Sequence, residues 1–356
     1  MFVEITNDPR ESDWGSLTAI SDLLGRIPTG RPEAELWLGT HPVSPARIVP
    51  SGEDLRDVVG ELPFLLKILA AASTLSLQVH PTTAQAREGF ARENAAGIPL
   101  DAPNRNYKDP YAKPEMIYAL SDEFRALCGF RAVAETRAVL DVGGVGHLLS
   151  ELRTDADIRP VFEWLLSGDP DVAEIVSVIS AAAQAATGDS WRTVRGLVEH
   201  FPGDPGIVIS LLLHTVGLRR GEALYLPAGN IHAYQEGLGI ELMGPSDNVL
   251  RCGLTPKHVD IAELLSVLDF RALPAPVLVP TVANEVSDFA PEGAGLRMRV
   301  LDAGAALTVN APVIVFSLDG GFAIGESVVG VARAVVVTAG EETITAMGTT
   351  VVASAD

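Results

Sequence analysis

One stretch limits what this chain can fold into more than any other: Gly221-Glu222-Ala223-Leu224-Tyr225-Leu226-Pro227-Ala228-Gly229-Asn230-Ile231-His232. The run from Ala223 to Leu226 reads as a strand. Pro227 has no N–H to give to a ladder, so it ends that strand, and Gly229 completes the turn. The spacing G-x5-P-x-G-x2-H therefore delivers His232 to a fixed place after a strand. Such a chain is built around strands whose turns aim polar side chains.

A second stretch offers His232 possible company. In residues 75–81, Leu75, Leu77 and Val79 alternate with Ser76, Gln78 and His80, so a strand here buries three apolar side chains and turns three polar ones the other way. Gln78 and His80 then emerge on one face about 7 Å apart, at two strand rises. That spacing suits two ligands of one metal. It equally suits the polar face of a half-buried strand.

Around these stretches the chain changes character by region. Residues 33–39 alternate like a strand, and Leu62-Pro63-Phe64-Leu65-Leu66-Lys67-Ile68-Leu69 is an apolar run leading towards residue 75. Lys113-Pro114-Glu115 opens a further strand, with Lys113 and Glu115 on one face. From about 125 to 216 the spacing turns helical: Val172, Ile175, Val176 and Ile179 follow i, i+3, i+4, i+7 behind the start signal Asp169-Pro170. Gly239-Ile240-Glu241-Leu242-Met243 returns to alternation, and residues 270–356 read as all-β. His41, His147, His200 and His214 lack ligand spacing and read as packing or surface residues. His258 is the last histidine, so the C-terminal β region cannot build a histidine metal site.

Charge and cysteine content narrow the function. With 26 Lys and Arg against 46 Asp and Glu, the net charge is −20, which argues against nucleic acid or an anionic membrane as partner. An anion site must then be made locally by a few converging cations. No run approaches the ~18 apolar residues needed to span a bilayer, and no basic region followed by an apolar core opens the chain, so a cytoplasmic protein is expected. Cys128 and Cys252 are too few for a disulfide framework or a thiolate zinc cluster.

The chain resembles the type I phosphomannose isomerases, zinc enzymes of the cupin superfamily. The resemblance rests on Trp14-Gly15-Ser16, Ala34-Glu35-Leu36-Trp37, residues 76–81, Lys113-Pro114-Glu115, Pro227-Ala228-Gly229 with His232, and Ser246-Asp247-Asn248-Val249 with Arg251 and Thr255-Pro256-Lys257. These motifs span residues 14 to 257 in the family's order. The resemblance implies a mainly β fold: a cupin (jelly-roll) catalytic lobe from 1–124 and 217–269, a helical domain at 125–216, and a second cupin-like lobe at 270–356. It implies one zinc per chain held by Gln78, His80, Glu115 and His232, a nitrogen and oxygen set suited to that metal. Lys113, Arg251, Glu241 and Asp247 match catalytic positions, and Ser76 and Lys257 match substrate-binding ones. Some members carry a histidine just before the Lys-Pro-Glu lysine and give it a catalytic role; here that position is Ala112.

The implied activity is interconversion of mannose 6-phosphate and fructose 6-phosphate through a cis-enediol, by a monomer with no macromolecular partner. Two other readings fit a metal-bearing cupin, an iron-dependent oxygenase and a sugar-binding protein without catalysis. The cations separate them, since neither alternative has reason to set Lys113, Arg251 and Lys257 around the metal strands. Glu241 is expected to be the base, because Ile240 and Leu242 flank it and turn it towards the polar side, with Asp247 next in line.

Overall fold

The strand His232–Met243 organises the molecule, and the computed structural model, which describes residues 1–355, shows it changing partners along its length. Its second half, from Gly237, lies between Leu65–Ala71 and Glu115–Ala119. Its first residues pair instead with Phe124–Phe130 and, at His232, with Gln78 of Leu77–Val79. The register slips between Tyr234 and Glu236, and Gly237 follows at a φ of 129°. A Cβ at Gly237 would lie 2.7 Å from the Phe124 ring, so the corner requires glycine. One strand thus reaches both halves of the polar cleft.

Alternation then sorts the side chains. Leu66, Ile68, Ile240 and Leu242 pack in one apolar cluster with Leu296, Met298, Ile314 and Val336 of the C-terminal sheet. The intervening residues Lys67 and Glu241 face the other way, and register sets them directly opposite each other. Burial of the apolar face, at about 25 cal/mol per Å², fixes that register, because a one-residue slip would drive both charges into the apolar cluster.

A helical insertion spans residues 133–212, including Pro170–Ala182 with Asp169 as N-cap and Asp189–His200. Helical character was expected over 125–216, but both margins are strands: Phe124–Phe130 and Leu213–Leu218 pair with each other. Their apolar residues satisfy either period, and cross-strand pairing decides the outcome. The helices share one core with Leu77 and Val79, so the insertion packs directly behind the strand that carries Gln78.

At the C-terminal end, Leu296–Leu301, Val313–Ser317, Ala334–Val337 and Thr350–Ala355 form half of an eight-stranded sheet, and a four-stranded sheet is formed by other strands of the same region. Phe2–Thr6 and Arg47–Ile48 belong to this sheet, although residues 1–124 were expected to join the catalytic strands. Alternation carries no information about which sheet a strand joins. The fold is mainly β. Among the described residues the strand pairings do not close a sheet on itself, so a closed jelly-roll barrel is not among the features seen.

Candidate active site

Gln78, His80, Glu115 and His232 meet where three strands converge. His80 Nε2 lies 3.1 Å from Glu115 Oε1, His232 Nε2 lies 3.2 Å from Glu115 Oε2, and the Gln78 amide lies 3.3 Å from His232 Nε2. Ligand atoms of His80, Glu115 and His232 all fall within 4.8 Å of one another. Both rings are oriented from behind, since His80 Nδ1 bonds the Asn248 carbonyl at 2.7 Å and His232 Nδ1 bonds the Asn230 carbonyl at 2.9 Å. A carbonyl only accepts, so each Nδ1 carries the proton and each Nε2 offers its lone pair inward.

This arrangement fits a divalent metal. His80 Nε2 and Glu115 Oε2 are fully buried and make no hydrogen bond among the described residues, a costly state unless a cation takes their lone pairs. Burial pushes the His80 imidazole down to about 4, so it stays neutral. Burial opposes the Glu115 carboxylate, but Lys113 beside it holds that group well below the usual carboxylate range. Two imidazoles, one carboxylate and a side-chain amide make a zinc-type donor set.

Beside this centre opens a cleft of about 650 Å³, lined by Lys67, Lys113, Glu241, Asp247, Arg251 and Lys257 among others, with Ser76 at its wall. All ten residues singled out from the sequence fall in or next to it, and Ser76, Gln78, Lys113, Glu115, Glu241, Asp247, Arg251 and Lys257 line it directly. Ala112 does not face it. That residue lines a separate cavity of about 620 Å³ with Pro114 and Pro245, on the far side of the chain from Lys113.

The cations divide into two kinds. Lys113 Nζ lies 2.9 Å from Glu115 Oε1, and Lys67 Nζ lies 3.1 Å from Glu35 Oε1 and 3.2 Å from Glu241 Oε2, while also sitting 4.9 Å above the Trp37 ring. Arg251 and Lys257 make no ion pair among the described residues. Arg251 stands opposite Gln78 in register, half-buried, and burial lowers its pKa without a carboxylate to restore it. A guanidinium kept in that state is poised for an anion.

Lys67 escaped the sequence reading. Its signal was a lone charge inside the run Leu65-Leu66-Lys67-Ile68-Leu69, which points to a buried, paired cation. Burial works against its charge, but Glu35 and Glu241 outweigh that effect and raise its pKa. Burial raises the Glu241 carboxyl, with Lys67 opposing. Tyr234 also lines the cleft, its buried hydroxyl without a hydrogen-bond partner among the described residues. His41 is buried against Trp37, with Nε2 3.4 Å from Asp247 Oδ2, so this packing residue borders the cleft. His200 is exposed and lines the cleft rim.

Comparison with known proteins agrees with this geometry. The family description "Phosphomannose isomerase type I, catalytic domain" matches residues 51–133. The mannose-6-phosphate isomerase of Escherichia coli (strain K12) is 41% identical over 299 residues, covering 76% of this chain and 76% of that protein. The mannose-6-phosphate isomerase of Homo sapiens is 32% identical over 301 residues, covering 73% of this chain and 69% of that one. A crystal structure titled mannose 6-phosphate isomerase (holo; zinc bound) superposes with a TM-score of 0.92 at 33% identity, over 100% of this chain and 99% of that chain.

Proposed function

Since the chain belongs to the type I phosphomannose isomerase family, we propose how its own cleft interconverts mannose 6-phosphate and fructose 6-phosphate. It is a zinc-dependent mannose-6-phosphate isomerase. The observation that carries the mechanism is the division of cations around the His-Glu-His centre: two tied to carboxylates, two left for substrate.

His80, Glu115, His232 and Gln78 hold the metal. Bound there, zinc supplies Lewis acidity towards a sugar oxygen, worth several kcal/mol of charge stabilisation. Arg251, next to Gln78, stabilises negative charge as the carbonyl moves between C1 and C2, and remains cationic at every working pH. Glu241 carries the proton between the two carbons, and its raised pKa brings it closer to what a general base at neutral pH needs. Lys67, held protonated between Glu35 and Glu241, fixes the Glu241 carboxylate in place and stays on as an acid near the sugar hydroxyls. Lys113 positions Glu115. Lys257 and Ser76, on the cleft wall, receive the phosphate, and Asp247 remains the second candidate for the base.

Metal analysis with a coupled mannose 6-phosphate assay tests this reading. Wild type is expected to carry one zinc and to prefer mannose 6-phosphate to mannose, and His232→Ala to lose zinc and activity together. Full zinc occupancy in His232→Ala, or equal use of the two sugars, would refute it.

A further inference from the structure

The cleft is built mainly by strands, yet part of its wall comes from the helical insertion. His200, the last residue of the helix Asp189–His200, and Phe201 line it beside Leu254, Thr255, Pro256 and Lys257. The turn after that helix is fastened to the strand side by Asp204. Its Oδ2 accepts the Leu254 N–H at 3.0 Å, and its Oδ1 accepts the Gly206 N–H at 2.7 Å.

The segment held in this way is unusual in its backbone. Leu254 follows the strand Leu250–Gly253 with a φ of 54°, a left-handed conformation that a leucine adopts only when its surroundings enforce it. The two segments also press together: a Cβ on Gly206 would lie 2.8 Å from the Leu254 side chain, and one on Gly253 would lie 3.2 Å from Asp204 Oδ1. Arg251 stands on the strand before this corner. After it, Lys257 folds back so that its N–H reaches Thr255 Oγ1 at 3.2 Å. The corner at Leu254 therefore sets the direction in which Thr255-Pro256-Lys257 leaves the sheet.

We propose that Asp204 is a positioning residue for the phosphate end of the cleft. Its carboxylate aims the Lys257 turn from the helical insertion, and so sets how strongly the enzyme demands a phosphorylated sugar. The inference rests on reading Lys257 as a phosphate contact. Asp204 touches no substrate and acts through the Leu254 backbone. Two N–H groups need two acceptor oxygens, and an asparagine would offer one while turning an NH₂ towards the other N–H.

Asp204→Asn, Lys257→Met and the double variant are compared for KM and kcat with mannose 6-phosphate, for Ki of inorganic phosphate, and for zinc content. Asp204→Asn is expected to raise KM and the phosphate Ki about tenfold, the equivalent of one charge-assisted hydrogen bond at about 1.4 kcal/mol, with kcat and zinc unchanged. Lys257→Met is expected to raise the same two constants, and the double variant to be no worse than Lys257→Met alone. Wild-type constants in Asp204→Asn beside raised ones in Lys257→Met would overturn the positioning role while leaving the phosphate contact standing. Unchanged constants in Lys257→Met would overturn the phosphate contact, and this inference with it. Fully additive effects, or loss of kcat or zinc in Asp204→Asn, would make Asp204 a general structural residue and overturn the proposal. Should Asp204→Asn fail to fold, Leu254→Gly loosens the same corner without touching the carboxylate. It is expected to give the same rise, and a wild-type KM there would overturn the inference.

Discussion

At the scale of the residue, the proposed chemistry turns on buried Lys67 and Glu241 with the half-buried Glu35 beside them. Glu241→Gln keeps the volume and the hydrogen-bonding shape but cannot take a proton. It is expected to retain zinc and lose about 10²- to 10⁴-fold in kcat, or about 2.7 to 5.4 kcal/mol. The pH profile supplies a second check. The Glu241 carboxyl is raised above its ordinary 4.5, so the wild-type acid limb should lie above that value, with kcat/KM falling as pH falls through it, and the variant should lose that limb. Lys67→Met separates the two partners. It leaves the buried Glu241 and the half-buried Glu35 without their shared cation, so stability should fall by about 3 kcal/mol by chemical denaturation. A Glu241→Gln enzyme with near-normal kcat would pass the base role to Asp247.

The element scale explains why the metal centre was easier to read than the rest of the cleft. Gln78 and His80 share one strand face, and His232 follows a Pro-Ala-Gly turn at a fixed offset, so local spacing already aims them. Asn248 shows the limit of such reading. It is fully buried, its carbonyl orients His80, and its side chain gathers the backbone of Lys108, Asp109 and Tyr111, contacts across about 140 positions that no local period encodes. Asn248→Ala is expected to keep all four ligands yet weaken zinc affinity by about 10- to 100-fold in a chelator competition. The helical insertion was legible from its 3.6-residue period, whereas its margins were not. Residues 213–218 become a strand by pairing with 124–130, which pair in turn with the strand from His232, and no local period encodes either partner. Lys67 was visible as a charge in an apolar run, but its partners Glu35 and Glu241 come from two other strands.

For the whole molecule, the sheets decide what depends on what. The apolar cluster behind Lys67 and Glu241 is shared with the C-terminal sheet, so that sheet, which holds no histidine, still supports the face on which Glu241 stands. Deleting residues 2–6 should bare the edge of Ala334–Val337 and lower the thermal midpoint, with zinc affinity at the remote centre changing less than stability. Thermal melts and zinc titration of the same variant check this.

The pairing of Phe2–Thr6 with Ala334–Val337 also bears on how the protein is made. The partners lie roughly 330 residues apart, so at about 5–20 residues per second the early strand leaves the ribosome and waits roughly 20 to 70 s for its neighbour. Its other partner, Arg47–Ile48, arrives far sooner and pairs over only two residues. For most of synthesis a nascent chain thus carries one half-satisfied strand, open to chaperones and to other nascent chains. Crowding on a polysome should therefore limit the yield of this enzyme before the stability of its finished fold does.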